Sequence, residues 1–189
     1  MRWLWIPALA LAVIWPRASA QTWSIDTDRA SASFSVRPVW LRRIHGHFPI
    51  LEGVLVRDPA RDTVAVDVRI DVRALQMGRA AWVIWAQSPE FFDVERHPWI
   101  RFRSDPFPVS QLPEGGLIEG QATLRGVTRR IGFTLAPVEC AAFAPDCPIR
   151  AEGAVSRSAF AMDARRLSLG DSVTLSFEVM LAQAPDPMR

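Results

Sequence analysis

His45-Gly46-His47 sets two imidazoles two positions apart, so a strand through them would hold both on one face, a spacing that metal sites use. A catalytic zinc takes three protein ligands, and the only other histidine is His97. The pair therefore reads first as a polar strand face and second as part of a metal site. Asp26, Asp28, Asp93 and Glu95, with Ser88 ahead of a proline, are the groups a hydrolase would draw on. No G-x-S-x-G, H-E-x-x-H or glycine-rich phosphate loop accompanies them, and scattered acids at strand ends are usually solvated turn residues. The expectation is a protein that is not an enzyme and that carries no metal and no cofactor. Cys140 and Cys147 bracket Ala-Ala-Phe-Ala-Pro-Asp. A redox or metal pair would call for Cys-x-x-Cys spacing or a nearby histidine, and neither is present, so a disulfide is expected in an exported chain. Closing so short a loop would stabilise the fold by roughly 2–3 kcal/mol on the chain-entropy model.

Export is what the first residues predict. Arg2 supplies a short positive start, Leu4 to Trp15 is apolar apart from Pro7, and Ala18-Ser19-Ala20 is a small-x-small cleavage site, giving a signal peptide over 1–20. A periplasmic location is the corresponding expectation. The whole chain has 22 basic and 20 acidic residues; Arg2 and Arg17 leave with the leader, so the two signs balance in residues 21–189. A nucleic-acid partner needs clustered positive charge, and that balance argues against one. All the basic residues are Arg, with Lys, Asn and Tyr absent, which reads as codon bias rather than a phosphate-binding design.

Alternation with period two recurs along the rest of the chain. Ala32, Phe34 and Val36 face away from Ser31, Ser33 and Ser35. Val64, Val66, Val68, Ile70 and Val72 face away from Asp67, Arg69 and Asp71. Ile100 and Phe102, Ile118, Ala122 and Leu124, Ile131, Phe133 and Leu135, Ile149, Ala151 and Val155, and Val173 to Leu181 repeat the pattern. With the segment His47 to Val56, that makes about eight strands. Gly, Pro and Asp mark the turns between them. Such strands, each with one wet and one dry face, imply a single all-β antiparallel domain over 21–189, either a sandwich or a closed barrel. The one long interruption, between Val72 and Pro98, has room for a short helix over Arg79 to Gln87.

That interruption also holds the densest aromatic group: Trp82, Val83, Ile84 and Trp85, then Ser88-Pro-Glu-Phe-Phe-Asp93. Taken with Trp23-Ser-Ile-Asp26, Ile44-His-Gly-His-Phe-Pro-Ile-Leu-Glu-Gly53, the Glu119 to Leu135 segment, Val155-Ser-Arg-Ser-Ala-Phe160 and Leu169-Gly-Asp-Ser-Val-Thr-Leu-Ser-Phe-Glu-Val179, it resembles the YceI-like family of exported, polyisoprenoid-binding proteins. The resemblance spans about Trp23 to Leu181. It implies a lipocalin-like up-and-down barrel of about eight strands, with one short helix in the long connection and a long isoprenoid chain inside. An eight-stranded barrel is either filled by side chains or wide enough for one small ligand.

On that resemblance the inward residues become ligand candidates: Phe34, Val36, Phe48, Val66, Val68, Ile100, Phe102, Leu124, Phe133, Phe160 and Phe177. Trp82, Trp85, Phe91 and Phe92 would form a lid at the mouth, a plug, or a contact with a membrane or a second copy. Arg157 matches a family motif and would either close a buried ion pair or meet a head group; Arg37, Arg42, Arg43, Arg125, Arg129 and Arg130 could pair with a pyrophosphate or quinone, or simply solvate the surface. Two departures bear on head-group preference. Trp82 to Trp85 replace a charged stretch usual in the family, and Arg29 and Pro38 replace histidines. Sequestering or carrying a polyprenyl or quinone-type lipid is thus the expected function, against an accessory protein docking a membrane redox partner or a hydrolase of lipid-linked substrates.

Overall fold

The computed structural model describes residues 19–38, 43–141, 143–164 and 168–182. All but the last two residues of the predicted leader, and Arg42, lie outside that set. Twelve strands run through the described residues: β1 Gln21–Ser24, β2 Ser31–Pro38, β3 Ile44–Phe48, β4 Leu51–Asp58, β5 Thr63–Asp71, β6 Gln76–Met77, β7 Trp99–Ser104, β8 Phe107–Pro108, β9 Gly116–Leu124, β10 Val127–Leu135, β11 Ile149–Ser156 and β12 Leu169–Val179. Helix α1 spans Ala80–Gln87 and α2 Gln111–Glu114, with 3-10 turns at Val72–Ala74 and Ser158–Phe160.

All the pairings are antiparallel, in the order β1-β4-β5-β7-β9-β10-β11-β12-β2-β3-β6, with β8 beside β5. That order returns on itself. β1 and β2 are two halves of one bent strand, and β3 and β4 are two halves of the next, because β1 pairs with β4 while β2 pairs with β3. β12 pairs with β2 along most of its length, and just beyond it Leu181 bridges Ile25, which follows β1. Counting each bent pair once gives a ring of eight long strands in chain order, as the alternation predicted. Closure removes the free edges that an open sheet would present.

Alternation puts the apolar half of each strand inside. In β2, Ala32, Phe34 and Val36 are buried, and in β9 Ile118, Ala122 and Leu124 are buried. The outer faces carry ion pairs between neighbouring strands: Arg101 and Arg103 to Asp67 at 2.6 and 2.9 Å, Arg69 to Glu52 at 2.6 Å, and Arg150 to Glu178 at 2.8 Å. The hydrogen bond from Arg101, reinforced by Arg103, holds the Asp67 carboxyl below the usual carboxylate range. Arg–acid pairs on the outer wall thus account for much of the balanced charge, though each exposed pair is worth only about 0.2–1 kcal/mol.

Several elements lie outside the expected set. β5 stops at Asp71, whose carboxylate accepts the Arg73 N–H at 2.9 Å and opens a 3-10 turn, so Val72 is buried in a turn rather than on a strand. Helix α1 begins one residue after Arg79, which is its N-cap. β1, β6 and β8 have no clear two-faced pattern to announce them. Cys140 and Cys147 are joined, and the loop they close lies at the same barrel end as α2, with Phe143 stacked on Trp23 at 4.5 Å. Arg29 reaches that loop through Asp146 at 2.9 Å.

Where β7 and β9 cross, Gly120 faces inward and leaves no room for a side chain: a Cβ there would lie 2.2 Å from the Arg103 carbonyl and 2.6 Å from the Ser104 Cα. Backbone cannot yield as a side-chain tip can. Gly120→Ala is expected to lower stability by about 3 kcal/mol, the upper end of overpacking costs, read as a shift in the urea unfolding midpoint at unchanged slope.

Candidate functional site

One barrel end is roofed by three segments: α1 with the Ser88–His97 turn, the β9–β10 turn at Arg125 and Gly126, and the Ser158–Phe160 turn. Arg125 joins them, donating to the Pro89 carbonyl at 3.0 Å and to the Ala161 carbonyl. Gln87 donates to the carbonyls of Val72 and Arg73, both at 3.1 Å, tying the end of α1 to the end of β5. Beneath this roof lies an apolar cavity of about 90 Å³. Its lining is apolar except for Ser33 and Arg157.

The Ser88–His97 turn explains why two adjacent phenylalanines can serve one cavity. The N–H groups of Phe91 and Asp93 both donate to the Ser88 carbonyl, at 3.0 and 2.9 Å, and Phe92 N–H donates to Ala86 at 3.0 Å. Asp93 adopts φ 49°, a left-handed conformation that Asp tolerates better than most residues. The coiled backbone directs Phe91 toward Trp85, with ring centroids 4.1 Å apart, and Phe92 edge-on to Phe34 and Phe48 at 6.0 and 5.9 Å. Both rings line the cavity. The Phe34 ring in turn lies flat over Gly46, where a Cβ would meet ring carbons at 2.1 and 2.4 Å. His45 and His47, flanking that glycine, point outward and are exposed. No group of three metal-ligating side chains forms among the described residues.

Arg157 is 3% exposed in this apolar wall, a position that costs several kcal/mol for an uncompensated charge. Backbone carbonyls supply much of the compensation. Nε donates to Gly170 at 3.0 Å, Nη1 to Met162 at 2.8 Å and Ala164 at 3.3 Å, and Nη2 to Leu169 at 3.1 Å, all carbonyl acceptors. Its guanidinium carbon stands 5.7 Å from the Phe91 ring centroid. The planar fork of Arg suits this many-acceptor role in a way that Lys cannot match. Met162 and Leu169 both line the cavity, so the clamp fixes two of its walls. Asp171 holds the same loop from outside: hydrogen bonds from the Ser156 hydroxyl and the Ser158 N–H keep its carboxyl below the usual range.

The sequence candidates distribute along the barrel axis. Phe34, Val36, Phe48, Trp85, Phe91, Phe92, Ile100, Leu124 and Arg157 line the roofed cavity. Val66, Val68, Phe102 and Phe133 line a second void of about 60 Å³ toward the opposite end. Phe160, 1% exposed, reaches from its 3-10 turn to a third void of about 30 Å³ between them. Phe177 borders all three. The interior is therefore neither solid nor one wide tunnel. Trp82 lines none of the three; it sits half-buried on α1 with the Arg79 guanidinium carbon 5.0 Å from its ring centroid. Ile84, on the same helix, is 72% exposed. Sequence reasoning missed Met77, Met162 and Leu169 as cavity residues; Met77 and Leu169 sit at strand ends and Met162 in a loop, so no periodicity flagged them.

The acids considered for catalysis do not converge. Asp26 pairs with Arg29 at 2.7 Å, Asp93 is buried with Arg96 at 3.7 Å, Glu95 is exposed, and the Ser88 hydroxyl accepts the Glu90 N–H at 3.3 Å.

Because Trp85 borders the cavity and Trp82 does not, single substitutions should separate them. Trp85→Ala is expected to weaken binding of a hydrophobic dye several-fold, and Trp82→Ala to leave it unchanged, as measured by fluorescence titration.

Comparison with solved structures finds the same fold in BcnA of Burkholderia cenocepacia, at 18% identity and TM-score 0.70, covering 84% of this chain and 99% of that one. The YceI protein of Campylobacter jejuni matches at 20% identity and TM-score 0.65, covering 77% and 89%. A polyisoprenoid-binding domain from Saccharophagus degradans, implicated in plant cell wall breakdown, matches at 14% identity and TM-score 0.64, covering 86% and 98%. Comparison with curated protein sequences finds no match. The family model for the YceI-like domain matches residues 23–181, and the chain belongs to that family.

Proposed function

We propose that this protein is an exported, periplasmic carrier that binds an isoprenoid lipid, of the polyprenyl or quinone type, by its hydrocarbon tail in the roofed end of the barrel. The observation that carries the reading is the lining of that cavity, apolar but for Ser33 and one arginine already occupied by backbone carbonyls. A site of this kind rewards methylene groups and methyl branches, at about 0.8 kcal/mol for each buried CH₂, and requires no strong polar contact. The family, and a structural relative named as a polyisoprenoid-binding domain, support the same class of ligand.

The cavity's size shapes the mechanism. At about 90 Å³ it is smaller than the roughly 150 Å³ apolar cavity known to admit benzene, so a prenyl chain enters only as side chains move. Met77 and Met162 are suited to that, since unbranched thioether side chains repack at low cost. The role is binding rather than catalysis: retention by burial, release by reversal, and no covalent step.

A second reading rests on α1, whose Trp82, Val83 and Ile84 leave apolar surface exposed at the roof. On that reading the protein is an accessory factor docking a membrane component. No helix among the described residues is long and apolar enough to cross a membrane.

Organic extraction of protein purified without detergent, followed by mass spectrometry, tests the choice. A prenyl lipid recovered in near-equimolar amount is the expected result. Protein that yields none, and takes up none from mixed prenyl lipids, would overturn the carrier reading.

A further inference from the structure

The second void is set off from the roofed cavity and the small third void by a row of rings. Phe102, from β7, meets Phe133, from β10, at right angles with centroids 5.0 Å apart; Phe133 meets Phe177, from β12, at 85° and again 5.0 Å. The row spans the inner face of the wall from β7 to β12. Above it, the roofed cavity is bounded by Ile100 and Leu175; below it, the second void is bounded by Leu55 and Leu135. Of the rings lining these three voids, only Phe177 borders all of them.

The three rings are not equally held. Phe133 is 2% exposed and packs directly on Gly153, where a Cβ would stand 2.6 Å from its ring. Phe102 is also buried, at 7%. Phe177 is half-buried and contacts Phe133 edge-to-face, an arrangement worth only about 0.5–1.5 kcal/mol beyond its burial.

We infer that this aromatic row is a length stop: Phe177 sets how many carbons of a bound chain lie in the roofed cavity before further ones must displace a ring. This rests on the isoprenoid reading and adds a specificity determinant to it. A chain threaded from the roofed end gains affinity with each buried carbon until it meets Phe177. Beyond that point, added carbons either stay outside or must turn the ring and give up its contact with Phe133. The second void, apolar and already formed, is the space that becomes usable when the ring is removed.

The test is a titration of the full protein with geraniol, farnesol and geranylgeraniol at one fixed detergent concentration. Wild-type protein should bind farnesol more tightly than geraniol and geranylgeraniol no more tightly than farnesol. Phe177→Ala should restore the rise, binding geranylgeraniol about tenfold or more tighter than wild type does, since the extra carbons now reach buried apolar space. Should the alanine variant not fold, Phe177→Leu, which removes the ring but keeps an apolar side chain, should move geranylgeraniol affinity in the same direction by a smaller factor. Affinity that climbs steadily across the series in wild type, or a variant whose series matches wild type, overturns the length stop and leaves the carrier reading standing. Absence of binding by all three alcohols overturns both.

Discussion

An eight-stranded ring has no edge, so its inner half-faces can be covered only by one another or by something enclosed. Everything else in this protein answers to that constraint. The strands satisfy their backbone groups around the ring, the outer faces carry Arg–acid pairs such as Arg101 and Arg103 with Asp67, and the inner faces must be apolar because no water is available to solvate them. What varies is how completely the inner side chains fill the space they surround. Here Val, Ala and Ile alternate with Phe, and the filling is incomplete: narrow apolar spaces remain, divided by rings.

The two ends are finished differently. At one end, the disulfide loop, α2 and the Trp23–Phe143 stack form a compact closure. At the other, the roof consists of segments held to each other largely by arginine donating to carbonyl groups. Arg125 ties its own turn to the two others, and Arg157 grips the Met162 and Leu169 carbonyls from within. Such contacts fix a loop without filling the space beneath it. A roof of this construction is compatible with a cavity whose walls include Met77, Met162 and one side of α1.

How much of this the sequence displayed follows from the physics of each feature. Strands such as Ser31–Pro38 and Gly116–Leu124 could be read directly, since a strand with one wet and one dry face must alternate. Gln21–Ser24 could not, because its outward exposure leaves little pattern, and the two-residue pairings at Gln76 and Phe107 are too short to have one. Helix α1 was visible as a helix, but being apolar all round it gave no hint that Trp85 faces in while Trp82 faces out. The role of Arg157 is not legible in sequence because its hydrogen bonds run to backbone carbonyls, which every residue has. The aromatic row was equally hidden: alternation says that Phe102, Phe133 and Phe177 point inward, but only the barrel's closure brings three distant strands' rings into contact. Family motifs were the one route to the ligand class, and the cavity lining agrees with them in chemistry while limiting what fits without rearrangement.

The central claim is that the roofed cavity, and not the apolar outer face of α1, receives the prenyl chain. Isotope-filtered nuclear Overhauser spectra of carbon-13-labelled protein with unlabelled farnesol measure this directly. The account predicts contacts from the farnesol methyl groups to Phe34, Phe92, Ile100 and Leu175 side chains. Contacts confined to Ile84 and Trp82, with none to those interior groups, would contradict it.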